Sequence, residues 1–182
     1  MKCGLLGRKL GHSYSPLIHG HLGSYTYELF EKEPEDVADF VRNGDFTGIN
    51  VTIPYKKDVI PCMDELSPKA KRMGAVNTIV RRADGSLVGH NTDYFGFSSM
   101  LERSGLTVGG KKVLVLGSGG ASNTAVKVLE DSNANVVISF PILRPLKLRN
   151  SAVRMRSTIL VDRDFPCKSM PTNSWRYRSM TE

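Results

Sequence analysis

The sequence predicts an α/β protein. Three observations carry that prediction. Short apolar runs of strand length recur along the first 138 residues, and stretches with helical apolar spacing lie between them. A β-hairpin signal stands at Ala83-Asp84-Gly85-Ser86. The buried-strand run Lys112-Val113-Leu114-Val115-Leu116 leads directly into a glycine-rich turn and a further helix.

The chain has 182 residues, enough for one ordinary domain or two small ones. Its hydrophobic fraction of 40% and charged fraction of 24% are those of a globular protein. Cys3, Cys62 and Cys167 are odd in number, widely spaced and form no CxxC pair, which predicts a reducing compartment. No apolar run approaches the roughly 20 residues that cross a bilayer. The opening Met1-Lys2-Cys3-Gly4-Leu5-Leu6-Gly7 is too short and glycine-broken for a signal peptide, so a cytoplasmic location is expected. The net charge of +7 is unevenly spread: residues 139–182 hold 9 Lys and Arg against 3 Asp and Glu. That tail has no nucleic-acid motif, so neither nucleic acid nor membrane is an expected partner.

Residues 2–7 read as a first strand. The loop Gly7 to Pro16 ends in a Ser-Pro helix start, and Leu17, Ile18 and Leu22 share one helix face. Ser13 and Ser15 are two residues apart, which in an extended segment places both hydroxyls on one side. They suit a carboxylate, or Ser15 caps the helix. Tyr25–Phe30 reads as a strand and Pro34–Val41 as a helix with Val37, Phe40 and Val41 inward. In Asn50-Val51-Thr52-Ile53, apolar and polar residues alternate as in a half-buried strand, which Pro54 stops. Lys56-Lys57 follows, either as a solvated surface pair or with a lysine held rigidly for anion binding or catalysis. A helix is expected over Val59–Leu66, another from Ser67-Pro68 to Met73, and a strand over Gly74–Val80. Leu87–His90 is the second hairpin arm, followed by Asn91-Thr92-Asp93 and a helix over Tyr94–Arg103.

After the connector Gly105–Gly110 come the Lys112–Leu116 strand, the turn Gly117-Ser118-Gly119-Gly120-Ala121-Ser122, a helix over Thr124–Asp131 and a strand over Ala134–Ile138. In that context the glycines let backbone approach a pyrophosphate, and the helix N-terminus supplies donors and positive dipole. The alternative is a plain strand-to-helix turn, since Ser122 stands where a third Gly or Ala is usual.

Four separated stretches agree with one pattern: Gly11-His12-Ser13-Tyr14-Ser15-Pro16, Asn50 to Lys56, Gly74-Ala75-Val76-Asn77-Thr78 with Asn91-Thr92-Asp93, and Gly117 to Ser122. In order and spacing the chain resembles the shikimate dehydrogenase family, quinate/shikimate dehydrogenases included, over about residues 1–138. The resemblance implies NADPH-dependent reduction of 3-dehydroshikimate to shikimate in chorismate and aromatic amino-acid biosynthesis. It implies a substrate-binding and catalytic domain over residues 1–104 and the start of an NADP-binding Rossmann domain over 105–138. Ser13 and Ser15 resemble the pair that holds the substrate carboxylate. Thr52, Lys56, Asn77 and Asp93 resemble the set around the ring hydroxyls and reacting centre, with Lys56 and Asp93 as the catalytic pair. Gly117, Ser118, Gly119, Gly120, Ala121 and Ser122 resemble the cofactor turn. Lys57 and the cysteines match no role, and no metal is implied. The resemblance leaves monomer and homodimer both open.

Residues 139–182 depart from the pattern. Ser139-Phe140-Pro141 stands where a basic residue for the 2′-phosphate of NADP is expected, and Arg144 comes several positions late. The tail has four prolines and one strand candidate, Ser157–Val161. It is read as an atypical basic tail foreign to the family, arising from an altered reading frame or a gene-model error; the alternative is a diverged but real ending. The Rossmann part is therefore expected to be incomplete, with a sheet stopped after two strands and an open edge. The chain is expected to be truncated, weakly active or inactive, and prone to aggregate. The alternatives are a catalytically dead shikimate-binding remnant or a quinate/shikimate dehydrogenase.

Overall fold

The axis of the first sheet is β1 (Lys2–Gly7), whose Gly4, Leu5, Leu6 and Gly7 are all buried, as expected of a strand covered on both faces. In the computed structural model, which describes residues 1–141, 158–161 and 175–178, it pairs in parallel with β2 (Thr26–Glu31) and with β3 (Gly48–Val51). Gly4 is obligatory for packing: a Cβ there meets the Phe30 ring and lies 2.5 Å from the Glu28 carbonyl oxygen. Beyond β3 the sheet turns antiparallel, through β5 (Thr78–Arg81) and β6 (Leu87–His90). The hairpin between them turns at Gly85, at φ +87°, with the Asp84 carboxylate accepting from the Ser86 N–H at 2.9 Å and its hydroxyl at 2.6 Å. The two-residue β4 (Glu65–Leu66) closes the sheet against β6, giving the order β2-β1-β3-β5-β6-β4.

Helices α1 (Ser15–Leu22), α2 (Val37–Asn43) and α3 (Pro68–Met73) flank this sheet's strands in sequence. Val37 and Val41 of α2 enter the core, with Phe40 packed against it, as their spacing predicts. Ser67 caps α3 by accepting from the Ala70 N–H at 3.2 Å, and Gly74 ends it at φ +59°. The core gathers Leu6, Val41, Ile49, Val51, Tyr55, Val59, Val76 and Ile79, all essentially fully buried. Each is worth roughly 1.5–3 kcal/mol of apolar burial.

Several boundaries differ from the sequence reading. The expected helix over Val59–Leu66 is a 3-10 turn at Ile60–Cys62 followed by β4. Pro61 withholds the N–H that a longer helix needs, and Leu66 pairs with Gly89 instead. β3 ends at Val51, so Ile53 points to solvent, 75% exposed. The chain turns there through a cis Ile53–Pro54 bond. β5 begins at Thr78, four residues later than expected, because residues 74–77 turn out of α3. Ser15 does not cap α1; it is the first helical residue, and its N–H donates to Ser13 Oγ at 3.2 Å. Leu17, Ile18 and Leu22 share a helix but remain exposed.

The chain divides into two units, Met1–Thr92 and Asp93–Glu182. In the second, β7 (Lys112–Leu116) pairs in parallel with β8 (Asn135–Pro141). Helices α4 (Asp93–Arg103) and α5 (Gly120–Asp131) belong to this unit, joined by the Tyr94 hydroxyl donating to Asp131 Oδ2 at 2.8 Å. Val113, Val115, Val126 and Leu129 form its core, with Phe97 and Leu101 of α4 packed against them. The sheet does not stop at two strands. β9 (Thr158–Val161), the strand expected at Ser157–Val161, lies antiparallel on β7, and β10 (Trp175–Arg178) lies antiparallel on β8. Each supplies backbone partners to an edge that the sequence reading leaves open. The order β10-β8-β7-β9 is thus a parallel pair bordered by antiparallel strands. Arg144 and the four-proline pattern's Pro145, Pro166 and Pro171 lie outside the described residues.

Candidate functional site

Residues 1–92 contain a cleft of about 630 Å³ lined by Lys9, Leu10, His12, Ser13, Glu31 and Thr52. Its loop is fixed by backbone bonds: the Ser13 N–H donates to the Leu10 carbonyl at 2.8 Å, and the Leu10 N–H donates to Glu31 Oε1 at 2.6 Å. Thr52 is set at the end of β3 by its N–H donating to the Leu6 carbonyl at 2.9 Å. The structure therefore brings two of the expected residues, Ser13 and Thr52, to one cleft. Ser15 stands just beyond, tied to Ser13 Oγ through its own N–H.

Lys56 is half-buried and Lys57 exposed, which separates the two readings of that pair. The Lys56 carbonyl accepts from the Val76 N–H at 2.7 Å, and the preceding Tyr55 is 1% exposed with its hydroxyl donating to the Lys32 carbonyl at 2.5 Å. Burial pushes the Tyr55 hydroxyl pKa up, so it stays protonated and can donate there. An anchored neighbour and an anchored carbonyl hold the Lys56 backbone still, as a positioned lysine requires.

Asn77, 8% exposed, is fastened on every side. Its N–H donates to the His90 carbonyl at 3.0 Å, and its carbonyl accepts from the Val51 N–H at 2.8 Å. Its side-chain oxygen accepts from the Thr92 N–H at 2.9 Å, and Nδ2 donates to Thr92 Oγ1 at 2.9 Å. This clamp fixes the turn immediately before Asp93, which opens α4. Asn91, 2% exposed, adds a bond from Nδ2 to the Ala75 carbonyl at 3.0 Å.

Sequence reasoning assigned no role to Tyr27, Asn50, Thr78 or Thr92. The structure links them: Tyr27 Oη donates to Asn50 Oδ1 at 2.8 Å, Asn50 Nδ2 donates to Thr78 Oγ1 at 3.3 Å, and Thr78 Oγ1 donates to Asn77 Oδ1 at 3.1 Å. The available signal was the polar face of β3, where Asn50 and Thr52 alternate with buried Ile49 and Val51.

The second unit carries the glycine turn between β7 and α5. Gly117, at φ +114°, needs to be glycine for its backbone. Gly119 and Gly120 do not. Gly119 has an ordinary φ of −75°, and a Cβ at either position meets nothing within 4 Å. The space over both is open, which leaves room for a ligand to approach the backbone closely. Ser122, 2% exposed, donates its hydroxyl to the Gly117 carbonyl at 2.7 Å and clasps the turn. It thus meets the close-packing demand usually met by a third glycine. At the end of β8, Ser139 Oγ is buried and has no hydrogen-bond partner among the described residues. It sits 20 residues after Gly119, the interval at which such folds place a ribose-reading group. The open turn at a helix N-terminus fits a pyrophosphate.

Residues 5–79 match the family model for the shikimate dehydrogenase substrate binding domain. Over about three quarters of its length, the chain resembles the shikimate dehydrogenase family. The shikimate dehydrogenase (NADP(+)) of Clostridium perfringens is 43% identical over 143 residues, covering 74% of this chain and 52% of the relative. That of Chlorobium phaeovibrioides is 41% identical over 164 residues, 85% of this chain and 54% of the relative. The likeness to this relative therefore runs beyond Ile138, where the sequence motifs alone lose it. A solved shikimate 5-dehydrogenase from Thermus thermophilus, in complex with NADP(H) and shikimate, is 34% identical with a TM-score of 0.63, covering 75% of this chain and 54% of that one. The α/β class, with a substrate domain preceding a Rossmann-like domain, is as the sequence predicts. The chain spans about half the length of these relatives.

Among the described residues, no group of three or more His, Cys, Asp or Glu side chains could hold a metal ion, and no helix is long and apolar enough to cross a membrane.

Proposed function

We propose that the chain is a shikimate dehydrogenase, reducing 3-dehydroshikimate to shikimate with NADPH. One observation carries this reading: Ser13 and Thr52 line one cleft within the unit that matches a shikimate dehydrogenase substrate binding domain. In functional terms residues 1–104 form the substrate-binding and catalytic part, residues 105–138 begin the cofactor part, and residues 139–182 are an atypical basic tail.

Ser13 and Ser15 hold the substrate carboxylate with neutral donors, and the Lys9 ammonium adds positive charge to the same cleft. Thr52 and Asn77 bind ring hydroxyls. Lys56 faces the charge that builds on the ketone oxygen and delivers a proton to it; Asp93 keeps the ammonium oriented and exchanges the proton. NADPH, when bound, supplies the hydride. Gly117, Ser118, Gly119, Gly120, Ala121 and Ser122 cradle its pyrophosphate with backbone N–H groups. The choice of NADP over NAD follows the relatives' names, because no basic residue adjoins Ser139 in the sequence. Free Cys3 and Cys62 support a reducing cytoplasmic setting. The ligand is a small molecule, with no nucleic acid or membrane involved, and the chain acts as monomer or homodimer.

A second reading, a remnant that binds shikimate without turnover, is favoured by the cleft's lying wholly within residues 1–92. Purified chain mixed with NADPH and 3-dehydroshikimate, with Lys56→Ala as control, separates the two. Loss of NADPH absorbance that the control lacks supports the dehydrogenase. Shikimate binding without NADPH oxidation supports the remnant, and absence of both sinks the two together.

A further inference from the structure

The hydrogen bonds around Asn50 form a directed series. Tyr27 Oη donates to Asn50, whose amide donates to Thr78, whose hydroxyl donates to Asn77, whose amide donates to Thr92. Each donor needs its neighbour's acceptor, so Tyr27 decides which way the Asn50 amide faces. The ring of Tyr27 is itself locked. His19 of α1 stacks on it at 3.7 Å between centroids and 12° between planes, and His19 Nδ1 is 2.6 Å from the Tyr25 hydroxyl. Ser15 is the first residue of α1, and Asn50 lies on β3. A tyrosine of β2 thus connects the helix that presents the serine pair with the polar series that ends at Asn77 and Thr92.

We propose that Tyr27 is a positioning residue of the ligand site: its hydroxyl sets the Asn50 amide, and its ring, stacked on His19, couples α1 to the Asn50–Thr78–Asn77–Thr92 series. Its part is to fix Asn50 and, through Thr78, Asn77, which the proposed function places at the ring hydroxyls. Burial holds its hydroxyl pKa up to about 12, so the donor proton stays in place at neutral pH. The ligand side of this inference rests on the shikimate reading above, so its test has one readout that needs no ligand.

The experiment compares the full chain with Tyr27→Phe, His19→Ala and the double variant. In isotope-labelled protein without ligand, the side-chain amide resonances of Asn50 and Asn77 shift in Tyr27→Phe while unfolding stays cooperative. Unmoved resonances overturn the proposal whatever the ligand does. In calorimetric titration with shikimate, Tyr27→Phe weakens binding by about five- to tenfold, the size of one lost hydrogen bond. The double variant is then barely weaker than Tyr27→Phe alone, because freeing the ring changes little once the hydroxyl is gone. Losses that simply add overturn the coupling. If the unaltered chain takes no shikimate, the ligand assignment fails, and the amide resonances still decide for or against Tyr27. Should Tyr27→Phe not fold, His19→Ala reads the linkage from its other end, and an unmoved Asn50 amide overturns the proposal.

Discussion

The two units prepare for their ligands by opposite means. In residues 1–92 the candidate ligand groups are side chains already engaged with one another: Asn77 clamps Thr92, Asn50 bridges Tyr27 and Thr78, and Ser13 accepts from Ser15. In the second unit the turn at Gly117–Ser122 holds three glycines, and Gly119 and Gly120 face open space. A ring carrying a carboxylate and several hydroxyls has directional donors and acceptors, which oriented side chains can match one by one. A pyrophosphate presents diffuse charge, which a row of backbone N–H groups and a helix N-terminus match without side-chain choice. One unit thus spends its specificity on a prearranged side-chain network, the other on bare backbone.

That contrast can be broken most severely at Lys56. Lys56→Ala is expected to lower turnover by about 10³-fold, the range of a lost positioned acid and charge stabiliser, while shikimate affinity in calorimetry changes far less. Comparable loss of both would make Lys56 a binding residue only. Next in size is Gly119→Val, whose side chain enters the space over the turn. NADPH affinity measured by fluorescence titration should fall roughly ten- to hundredfold with the loss of one or two charge-assisted hydrogen bonds, and shikimate affinity should not move. Weakening of shikimate binding would mean the two recognition modes are not separable.

A smaller effect is expected from Ser122→Ala. It removes the hydroxyl that clasps the Gly117 carbonyl and should cost about 1 kcal/mol in denaturant unfolding. No loss would show that packing, not the hydrogen bond, holds the turn. The smallest effect is a pH dependence confined to the network. Tyr27 titrates near pH 10 unfolded but at about 12 folded, mainly because burial disfavours the charged form. Its contribution to stability is complete below pH 10 and is lost as pH rises through about 12. Tyr27→Phe should flatten that part of the stability curve, read by urea midpoints between pH 9 and 12. An unchanged slope would place the loss on other tyrosines, Tyr55 first.

Strong local signals made much of this legible. Regular spacing revealed α2, the 84–86 hairpin turn revealed β5 and β6, and the apolar run before the glycines revealed β7. Weak local signals failed where distant residues decide. Glu65 and Leu66 look helical in sequence, yet form a strand because β6 offers them an open edge. The tail gave no alternation of strand and helix, yet two of its segments complete the second sheet as antiparallel borders. Ser13, Ser15, Thr52, Lys56, Asn77 and Asp93 were legible only as a resemblance, since no spacing rule connects residues that far apart.

The sequence by itself determined the α/β alternation, the glycine turn and the identity of the candidate groups, because periodicity, turn chemistry and residue type are local properties. Only the tertiary structure decided that Lys56 is half-buried and Lys57 exposed, that Ser13 and Thr52 share a cleft, and that Tyr27 donates to Asn50. Each depends on the register of β1, β2, β3 and β5 across one sheet. A shift of one residue there turns every polar side chain to the opposite face.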